Sequence, residues 1–305
     1  MKVLLTGSSG FLGKSLVKAL EHYGIETIAP TRKKLMGSTE FVQYTTFKDI
    51  SNIAQDESIF KDVDVFIHTA ALAHEKDLTE GSFDKINNEL TIKLAKAAAK
   101  SNLKRFIFIS SIGVNGTSNK YPFKVDDNPN PVDAYSISKY KAEIGLKKIA
   151  ENTEMEIVII RPPLVYGKNA PGNFGTLLKV VKKNLPLPLG AINNKRSFVA
   201  IDNLIDLILT CIEHPNAKNQ TFLVSDDENI STSNLLKKLT LAAGKKHRLL
   251  PLPVSLLKFL ASIIGKKTSV ERFTSSLTVN IEHTKKVLNW NPPITLDEGI
   301  RRCFK

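Results

Sequence analysis

Cysteine is scarce in this chain of 305 residues, which contains only Cys211 and Cys303. The two lie far apart, and neither belongs to a CxxC pair or a Cys/His cluster. The sequence therefore predicts neither a structural disulfide nor a zinc site. Cys211 lies in an apolar stretch, where a cysteine usually behaves as a small buried hydrophobic residue. We expect a functional site without a metal ion.

Long hydrophobic runs are also lacking. No window approaches the roughly 18 consecutive apolar residues that a membrane-spanning helix requires. Glycine interrupts the N-terminal stretch MKVLLTGSSGF well before it reaches the length of a signal-peptide core. The 42% of hydrophobic and 24% of charged residues are typical of a soluble globular protein. We expect a cytoplasmic protein that does not insert into a membrane.

Acidic residues are too few to balance the basic ones, and the formal net charge is +13. Such a charge raises the affinity for polyanions in general. The basic residues are spread along the chain without interleaved aromatic residues, so we do not expect nucleic acid as a partner. A cation-flanked amphipathic helix near Leu256 has the pattern of a membrane-surface helix. We nevertheless predict that this helix is buried in the core.

Strand and helix patterns alternate through the first half of the chain. The buried-strand patterns are KVLLT, IETIAP, VDVFIHTAA, RFIFISSI and EIVIIRPPLVYG. Helical patterns separate them, which is typical of an α/β fold with a Rossmann-like, doubly wound parallel sheet. We predict a dinucleotide-binding domain over residues 1–165 and a smaller, mixed substrate domain over residues 166–305. A segment near residues 198–210 is expected to return to the first domain.

A glycine-rich turn, TGSSGFLG, follows the first strand and opens the first helix. Gly7 permits a tight turn, Gly10 lets the backbone approach a pyrophosphate, and Gly13 allows the helix to pack closely on the strand. A purely structural turn also uses glycine. The position directly after an N-terminal strand favours a dinucleotide site.

The stretch YSISK places Tyr135 and Lys139 four residues apart, on one face of a helix. An ammonium group beside a phenol favours the phenolate, which would let Tyr135 exchange protons near neutral pH. A solvated helix face has the same spacing. Ser110 and Ser111, in SSIGVNG, supply hydroxyl groups at the carboxyl end of a parallel strand, where such sheets bind ligands.

Five motifs, TGSSGFLG, HTAA, SSIGVNG, YSISK and RPPLVYG, together resemble those of the extended short-chain dehydrogenase/reductases that act on nucleotide sugars, the NAD-dependent epimerase/dehydratase family. The resemblance spans essentially the whole chain. It implies that Tyr135 is the catalytic acid/base and that Lys139 lowers its pKa and holds the nicotinamide ribose. It also implies that Ser111 hydrogen-bonds the reacting sugar oxygen.

The resemblance further implies a cofactor-binding set. His68, Ala70 and Ala71 match the loop beside the cofactor phosphates, and Asn87 matches an asparagine that supports the active-site strand. The complete set is Gly7, Gly10, Phe11, Leu12, Gly13, Arg32, His68, Ala70, Ala71, Asn87, Tyr135 and Lys139.

The implied substrate is a UDP-sugar. Arg196, in RSFVAIDNL, matches an arginine that contacts the sugar diphosphate, in keeping with the bidentate geometry of a guanidinium. Arg272 is either a second clamp or a surface arginine, and Asn173 is a candidate in the substrate loop. Asn115 stands where the family pattern SSxxVYG has a tyrosine. The substrate-binding candidates are Ser111, Asn115, Asn173, Arg196 and Arg272.

An acidic residue is missing at the end of the second strand, where members of the family that prefer NAD use one to bind the ribose hydroxyls. Thr31 stands at that place and Arg32 follows. Arginine pairs with a 2′-phosphate that a carboxylate would repel. We therefore predict NADP(H) as the cofactor, with NAD(H) as the alternative; Lys33 and Lys34 are either further contacts or solvated loop charges.

These features favour an oxidoreductase acting at C4 of a UDP-linked hexose or hexosamine. The leading hypothesis is reduction of a UDP-4-keto-6-deoxy-N-acetylhexosamine for O-antigen or capsule synthesis, as in a bacterial subgroup that the chain resembles. The alternative is a UDP-glucose or UDP-GlcNAc 4-epimerase that retains NAD. A more remote alternative is a non-catalytic relative that binds a dinucleotide or RNA. The resemblance also implies a homodimer formed through ELTIKLAKAAAK and YSISKYKAEIGLKKIA.

Overall fold

The structure, a computed structural model, describes residues 1–32, 37–73, 80–263, 265 and 267–305. Its strands in chain order are β1 (Lys2–Thr6), β2 (Glu26–Thr31), β3 (Val42–Thr46), β4 (Val65–His68), β5 (Arg105–Ile109), β6 (Glu156–Arg161), β7 (Leu164–Tyr166), β8 (Arg196–Ala200), β9 (Thr221–Leu223) and β10 (Asn229–Ile230).

The helices in chain order are α1 (Phe11–His22), α2 (Glu80–Phe83), α3 (Leu90–Lys100), α4 (Ala134–Glu151), α5 (Gly172–Lys183), α6 (Ile201–Glu213), α7 (Thr232–Ala242), α8 (Val254–Ile263), α9 (Lys267–Thr274), α10 (Glu282–Leu288) and α11 (Leu296–Arg302). A π-helical segment, Asp84–Glu89, joins α2 to α3. Short 3₁₀ segments lie at Ile50–Gln55, Glu57–Phe60, Ile112–Val114 and Pro215–Ala217.

A parallel sheet with the strand order β3-β2-β1-β4-β5-β6-β9 runs through the described part of the chain. The chain moves outward from β1 through β2 to β3, and then crosses back to β4 on the other side of β1. This reversal opens a crevice beyond the carboxyl ends of β1 and β4. The predicted Rossmann-like, doubly wound fold is confirmed.

Both faces of this sheet are buried, since side chains alternate along each strand. Val3 and Leu5 belong to one apolar cluster, with residues of α1 and α6. Leu4 belongs to a second cluster, on the opposite face, with residues of α3 and α4. This double burial explains why the strands are nearly continuous apolar runs rather than alternating ones.

The stretch EIVIIRPPLVYG forms two strands instead of the single one that the sequence predicts. Strand β6 ends at Arg161, the prolines Pro162 and Pro163 follow, and β7 pairs with β8 in a separate sheet. Proline lacks the N–H group that a central strand needs for its ladder, so the chain leaves the large sheet at this point.

The second half of the chain contributes to both sheets. The order β10-β8-β7 forms a small mixed sheet, whose core includes residues of α5, α7 and α11. The helix α6 packs instead on α1 and β5, and β9 lies at the edge of the large sheet. The buried Arg105 fixes α6 there, because its guanidinium donates to the carbonyls of Cys211 and Ile212 at 2.7 and 2.9 Å. The proposed boundary at residue 165 stays a prediction.

The helix predicted near Leu256 forms as α8, but the prediction that it is buried is wrong. Leu256, Phe259, Leu260 and Ile263 are exposed, and Leu257 is the large apolar side chain of this helix that is buried. No helix within the described ranges has the length and apolar character needed to cross a membrane.

Candidate active site

The glycine turn lies at the carboxyl end of β1, beside the chain that leaves β4. Gly7 has a φ of +81°, and a Cβ atom added there would lie 2.4 Å from Thr69 Oγ1 and 2.7 Å from the amide nitrogen of Ala70. A Cβ atom on Gly13 would lie 2.0 Å from the carbonyl oxygen of Gly7. Only glycine therefore allows this turn, the β4 loop and α1 to approach so closely.

The first turn of α1 faces the same crevice. Gly10 caps the helix without a side-chain hydrogen bond, and the first turn contains no acidic residue. Phe11 and Leu12 begin the helix and are half-buried. Uncapped amide groups at the positive end of a helix dipole suit an anion, so this turn fits a dinucleotide pyrophosphate.

Ser111, Tyr135 and Lys139 come together beside this crevice. Ser111 follows β5 and shares a hydrogen bond with the Tyr135 phenol. Lys139 is buried, and its Nζ donates to the carbonyl of Ile109 at 2.8 Å and lies 6.0 Å from the centre of the Tyr135 ring. A Cβ atom on Gly113 would lie 2.2 Å from Ser136 Oγ. Glycine at this position therefore lets the loop after β5 that contains Ser110 and Ser111, the serine loop, pack against α4.

Protonation of the tyrosine differs from the sequence-based expectation. Burial, with a contribution from Asp133, raises the pKa of Tyr135 to about 12, although the Ser111 hydrogen bond acts in the lowering direction. Burial also lowers the pKa of Lys139 to about 7, against the opposing effect of the Glu143 carboxylate. Near neutral pH Tyr135 is a phenol and therefore a proton donor.

A buried ion pair lies one helical turn beyond Lys139. Glu143 and Arg161 are 1% and 3% exposed, and they form two contacts, Nε to Oε1 at 2.9 Å and Nη2 to Oε2 at 2.5 Å. Ser110 donates to Glu143 Oε1 at 2.5 Å. The pair connects α4, the end of β6 and the end of β5. Neither residue is among the sequence-based candidates, although the i, i+4 spacing of Lys139 and Glu143 places both on one helix face.

Asn115, which the sequence gives as a substrate-binding candidate, belongs to this network. Its side chain is buried, accepts from Arg161 Nη1 at 2.9 Å and donates to the carbonyl of Lys124 at 3.1 Å. Both ends of the amide are thus used inside the protein. The asparagine holds the guanidinium of Arg161 in place.

His68 is also placed differently from its predicted role beside the cofactor. Its ring is buried, with Nδ1 2.6 Å from Thr6 Oγ1 and Nε2 3.1 Å from Thr91 Oγ1. Burial, with Lys139 nearby, lowers its pKa to about 3, so the ring is neutral. His68 joins β1 and β4 to α3. Of the three residues predicted beside the phosphates, Ala70 and Ala71 are the ones in the loop beyond β4.

Asn87 is buried in the π-helical segment, where it supports the site from behind. Its side chain exchanges hydrogen bonds with the backbone of Leu72 at 2.9 and 3.1 Å and donates to Ser138 Oγ at 3.1 Å. The neighbouring Asn88 donates to Asp84, within its own segment. Asn87 thus ties the β4 loop to α4 next to Lys139. A π-helical turn at such a position is common at functional sites.

Arg32 lies in the bend that follows β2, and its side chain is exposed. Thr31 before it is buried at the end of the strand. The pKa of Asp49 is lowered by the Ser51 hydrogen bonds first and then by Lys85 and Arg32, against the opposing effect of burial. A cation is therefore presented at the end of β2, whereas Lys33 and Lys34 lie outside the described residues.

The substrate candidates in the second half are only partly brought together. Arg196 is half-buried at the start of β8, burial lowers its pKa, and its Nη1 donates to the carbonyl of Ser275 at 3.3 Å. The C-terminal end of α9 lies next to the start of β8. Asn194, two residues before β8, donates to the carbonyls of Phe273 and Ser275. Arg272 belongs to α9, but its side chain lies outside the described residues. Asn173 is exposed in the first turn of α5.

Known proteins resemble this chain along most of its length. Residues 3–225 match the family described as the NAD dependent epimerase/dehydratase family. A UDP-glucose 4-epimerase of Vibrio cholerae is 42% identical, over 98% of this chain and 93% of the relative. A dTDP-4-dehydro-6-deoxyglucose reductase of Escherichia coli is 22% identical, over 99% and 96%. The solved structure of a UDP-glucuronic acid 4-epimerase from Bacillus cereus in complex with NAD shares the fold, with a TM-score of 0.81, 21% identity, and coverage of 100% and 97%.

Removal of the Glu143 carboxylate should destabilise the protein. We expect Glu143→Ala to lower the free energy of unfolding by about 3–5 kcal/mol, because it leaves Arg161 as an unpaired buried cation. Chemical denaturation measures this change. Glu151→Ala, an exposed position at the end of the same helix, is the control and should change stability by less than about 0.5 kcal/mol. The double variant Glu143→Leu with Arg161→Met removes both charges and should recover much of the lost free energy of unfolding. Equal stabilities of Glu143→Ala and Glu151→Ala would contradict a stabilising role for the buried ion pair.

Proposed function

Because this chain belongs to the NAD dependent epimerase/dehydratase family, we propose that it carries out oxidation–reduction at C4 of a UDP-linked hexose or hexosamine. The observation that carries the proposal is the convergence of Ser111, Tyr135 and Lys139 beside the glycine turn at the carboxyl edge of the sheet. Gly7, Gly10, Gly13 and the first turn of α1 would hold the dinucleotide. When bound, the nicotinamide supplies or accepts a hydride.

The preferred direction in this proposal is reduction of a 4-keto sugar. Tyr135 donates its phenolic proton to the C4 oxygen, and Ser111 hydrogen-bonds that oxygen and orients it. The carbonyl becomes a secondary alcohol as one hydride reaches C4 and one proton reaches the oxygen. The raised pKa of Tyr135 supports this direction, because a phenol is the form that can donate. Lys139, with its pKa near 7, is placed to replenish the proton.

For the substrate, we propose a UDP-4-keto-6-deoxy-N-acetylhexosamine used in O-antigen or capsule synthesis. Arg196 is the candidate for the diphosphate, since a half-buried guanidinium binds phosphate oxygens in a fixed geometry. Asn173 and Arg272 are candidates at the sugar end. The cofactor that fits Arg32 is NADP(H), because an exposed arginine at the end of β2 can pair with a 2′-phosphate.

The second candidate is 4-epimerisation with a retained NAD. The relative from Vibrio cholerae favours it, since a UDP-glucose 4-epimerase is 42% identical over nearly the whole chain. Epimerisation would use the same three residues but begin with oxidation, in which the C4 hydride goes to the bound nicotinamide and Tyr135, which must first be deprotonated to a phenolate, accepts the proton of the C4 hydroxyl. The two candidates therefore differ in cofactor retention rather than in the catalytic group.

The assembly and location also remain proposals. A homodimer through α3 and α4 is the expected form, and the two helices pack side by side on one face of the sheet. Their outward positions are mostly lysines, with Ile144 as an exposed apolar residue. We propose a cytoplasmic location, where nucleotide sugars are made.

The first prediction for this function concerns the phenol. Tyr135→Phe removes only the proton donor, so we expect turnover to fall by about a thousandfold or more while the affinity for UDP and for the dinucleotide is kept. Tyr140→Phe removes one hydroxyl from the same helix and should leave turnover unchanged. Steady-state kinetics with calorimetric binding measures both. Undiminished turnover in Tyr135→Phe would sink the assignment.

A second prediction concerns cofactor choice. We expect Arg32→Ala to weaken NADPH binding by about tenfold, the value of one charge-assisted hydrogen bond, and to leave NADH binding nearly unchanged. Lys104→Ala, an exposed lysine just before β5, serves as the control cation. Fluorescence titration with both dinucleotides gives the ratio. If Arg32→Ala weakens both dinucleotides alike, Arg32 does not select between them.

A third prediction separates the two candidate reactions. The purified protein is denatured, and any released dinucleotide is identified and quantified. We expect little bound dinucleotide and a subsequent preference for NADPH over NADH, because a reductase exchanges its cofactor at every turnover. Release of NAD⁺ close to one equivalent per chain would instead establish the epimerase candidate.

A further inference from the structure

The helix α8 presents an apolar face that the described residues do not cover. Leu256, Phe259, Leu260 and Ile263 recur at the i, i+3, i+4 and i+7 spacing of one helix face and are 41%, 62%, 46% and 67% exposed. In contrast, Leu257, on another face, is 8% exposed. The helix is therefore anchored along one side and displays aliphatic side chains and a phenylalanine along the other.

Two further exposed leucines lie in segments next to α8 along the chain or paired with that stretch. The backbone of Leu187 donates to the carbonyl of Arg248 at 2.9 Å, and that of Leu250 donates to Leu187 at 2.8 Å, so the loop after α5 lies against the segment that leads into α8. Leu185 and Leu250 in these two segments are about half exposed. We refer to the apolar residues Leu185, Leu250, Leu256, Phe259, Leu260 and Ile263, together with the exposed Lys246, Arg248 and Lys258, as the α8 face.

Exposed cations lie within α8 and in the segment before it. Between Glu228 and Glu271 the sequence contains no acidic residue, and its lysines and arginines are Lys237, Lys238, Lys245, Lys246, Arg248, Lys258, Lys266 and Lys267. Lys246, Arg248 and Lys258 are exposed beside or within the helix. Lys245 donates to the carbonyl of Lys182, which brings the exposed Lys182 and Lys183 of α5 to the same region.

We propose that the α8 face docks the protein on the surface of an anionic phospholipid bilayer, with α8 lying in the interface plane. Exposed apolar side chains enter the boundary between headgroups and acyl chains, while lysines and arginines bind lipid phosphates. The inference rests on exposure and charge alone and does not depend on the proposed reaction.

Charge and chemistry favour lipid over other occupants. A second copy of this chain on the same face would bring two sets of cations together, which repel each other. A single-stranded nucleic acid would match the cations, but its bases stack on aromatic rings. The exposed residues of this face are leucines, an isoleucine and one phenylalanine, which suit acyl chains better.

Co-sedimentation of the whole protein with vesicles tests the proposal. We expect binding to vesicles of equal parts phosphatidylglycerol and phosphatidylcholine, weak binding to phosphatidylcholine alone, and a decrease as salt is raised. Phe259→Gln with Ile263→Gln should weaken binding by at least about tenfold, because glutamine keeps the helix but removes the apolar surface. Lys246→Gln with Lys258→Gln should weaken it by about fivefold for each cation.

The matched control is Tyr23→Gln, which replaces a side chain 64% exposed at the end of α1. It should bind vesicles like the unaltered chain, and all variants should keep the same thermal unfolding. Absence of binding to the anionic vesicles, or equal binding to phosphatidylcholine alone, would overturn the proposal. Two other results would also overturn it. One is a dimer in sedimentation velocity that dissociates when Phe259→Gln and Ile263→Gln are introduced. The other is RNA binding that the lysine variants weaken and the apolar variants leave unchanged.

Discussion

The buried pair of Glu143 and Arg161 is the constraint on which the candidate site depends. Burying two charges is costly, and the cost is offset only when the pair has good geometry and further hydrogen bonds. Ser110 and Asn115 supply those bonds to the carboxylate and the guanidinium. As a result, the ends of β5 and β6 and the middle of α4 can adopt one relative position. That position brings the serine loop to the tyrosine.

The same packing sets the protonation of the site. Lys139 lies between Phe108, the Ile109 carbonyl and Glu143, one turn away, so its pKa falls to about 7 while the carboxylate limits the decrease. Tyr135 is kept as a phenol by the same exclusion of water. The proposed reaction uses these two groups, a lysine that titrates near neutral pH and a phenol, to supply the proton of the sugar hydroxyl. His68, neutral behind them, contributes no competing charge.

The uneven distribution of charge connects the site with the rest of the surface. The second half of the chain carries most of the net positive charge. No acidic residue occurs between Glu156 and Asp202. The proposed nucleoside diphosphate would account for the cation at Arg196. It does not explain the cations around α8, which accompany exposed apolar side chains rather than hydrogen-bonding groups. The two proposals therefore assign a different anion to each region: a soluble nucleotide sugar at Arg196 and a phospholipid surface at α8.

The sequence alone determined the sheet, the glycine turn and the Tyr135–Lys139 face. These features depend on local periodicity, on backbone freedom at Gly7 and on spacing along one helix. Tertiary structure decided what depends on contacts distant in sequence: Asn115 is used by Arg161, and His68 is enclosed between Thr6 and Thr91. Burial also reversed the expected protonation of Tyr135 and left α8 exposed. Such outcomes could not be predicted from the pattern, because desolvation depends on which distant groups surround a side chain.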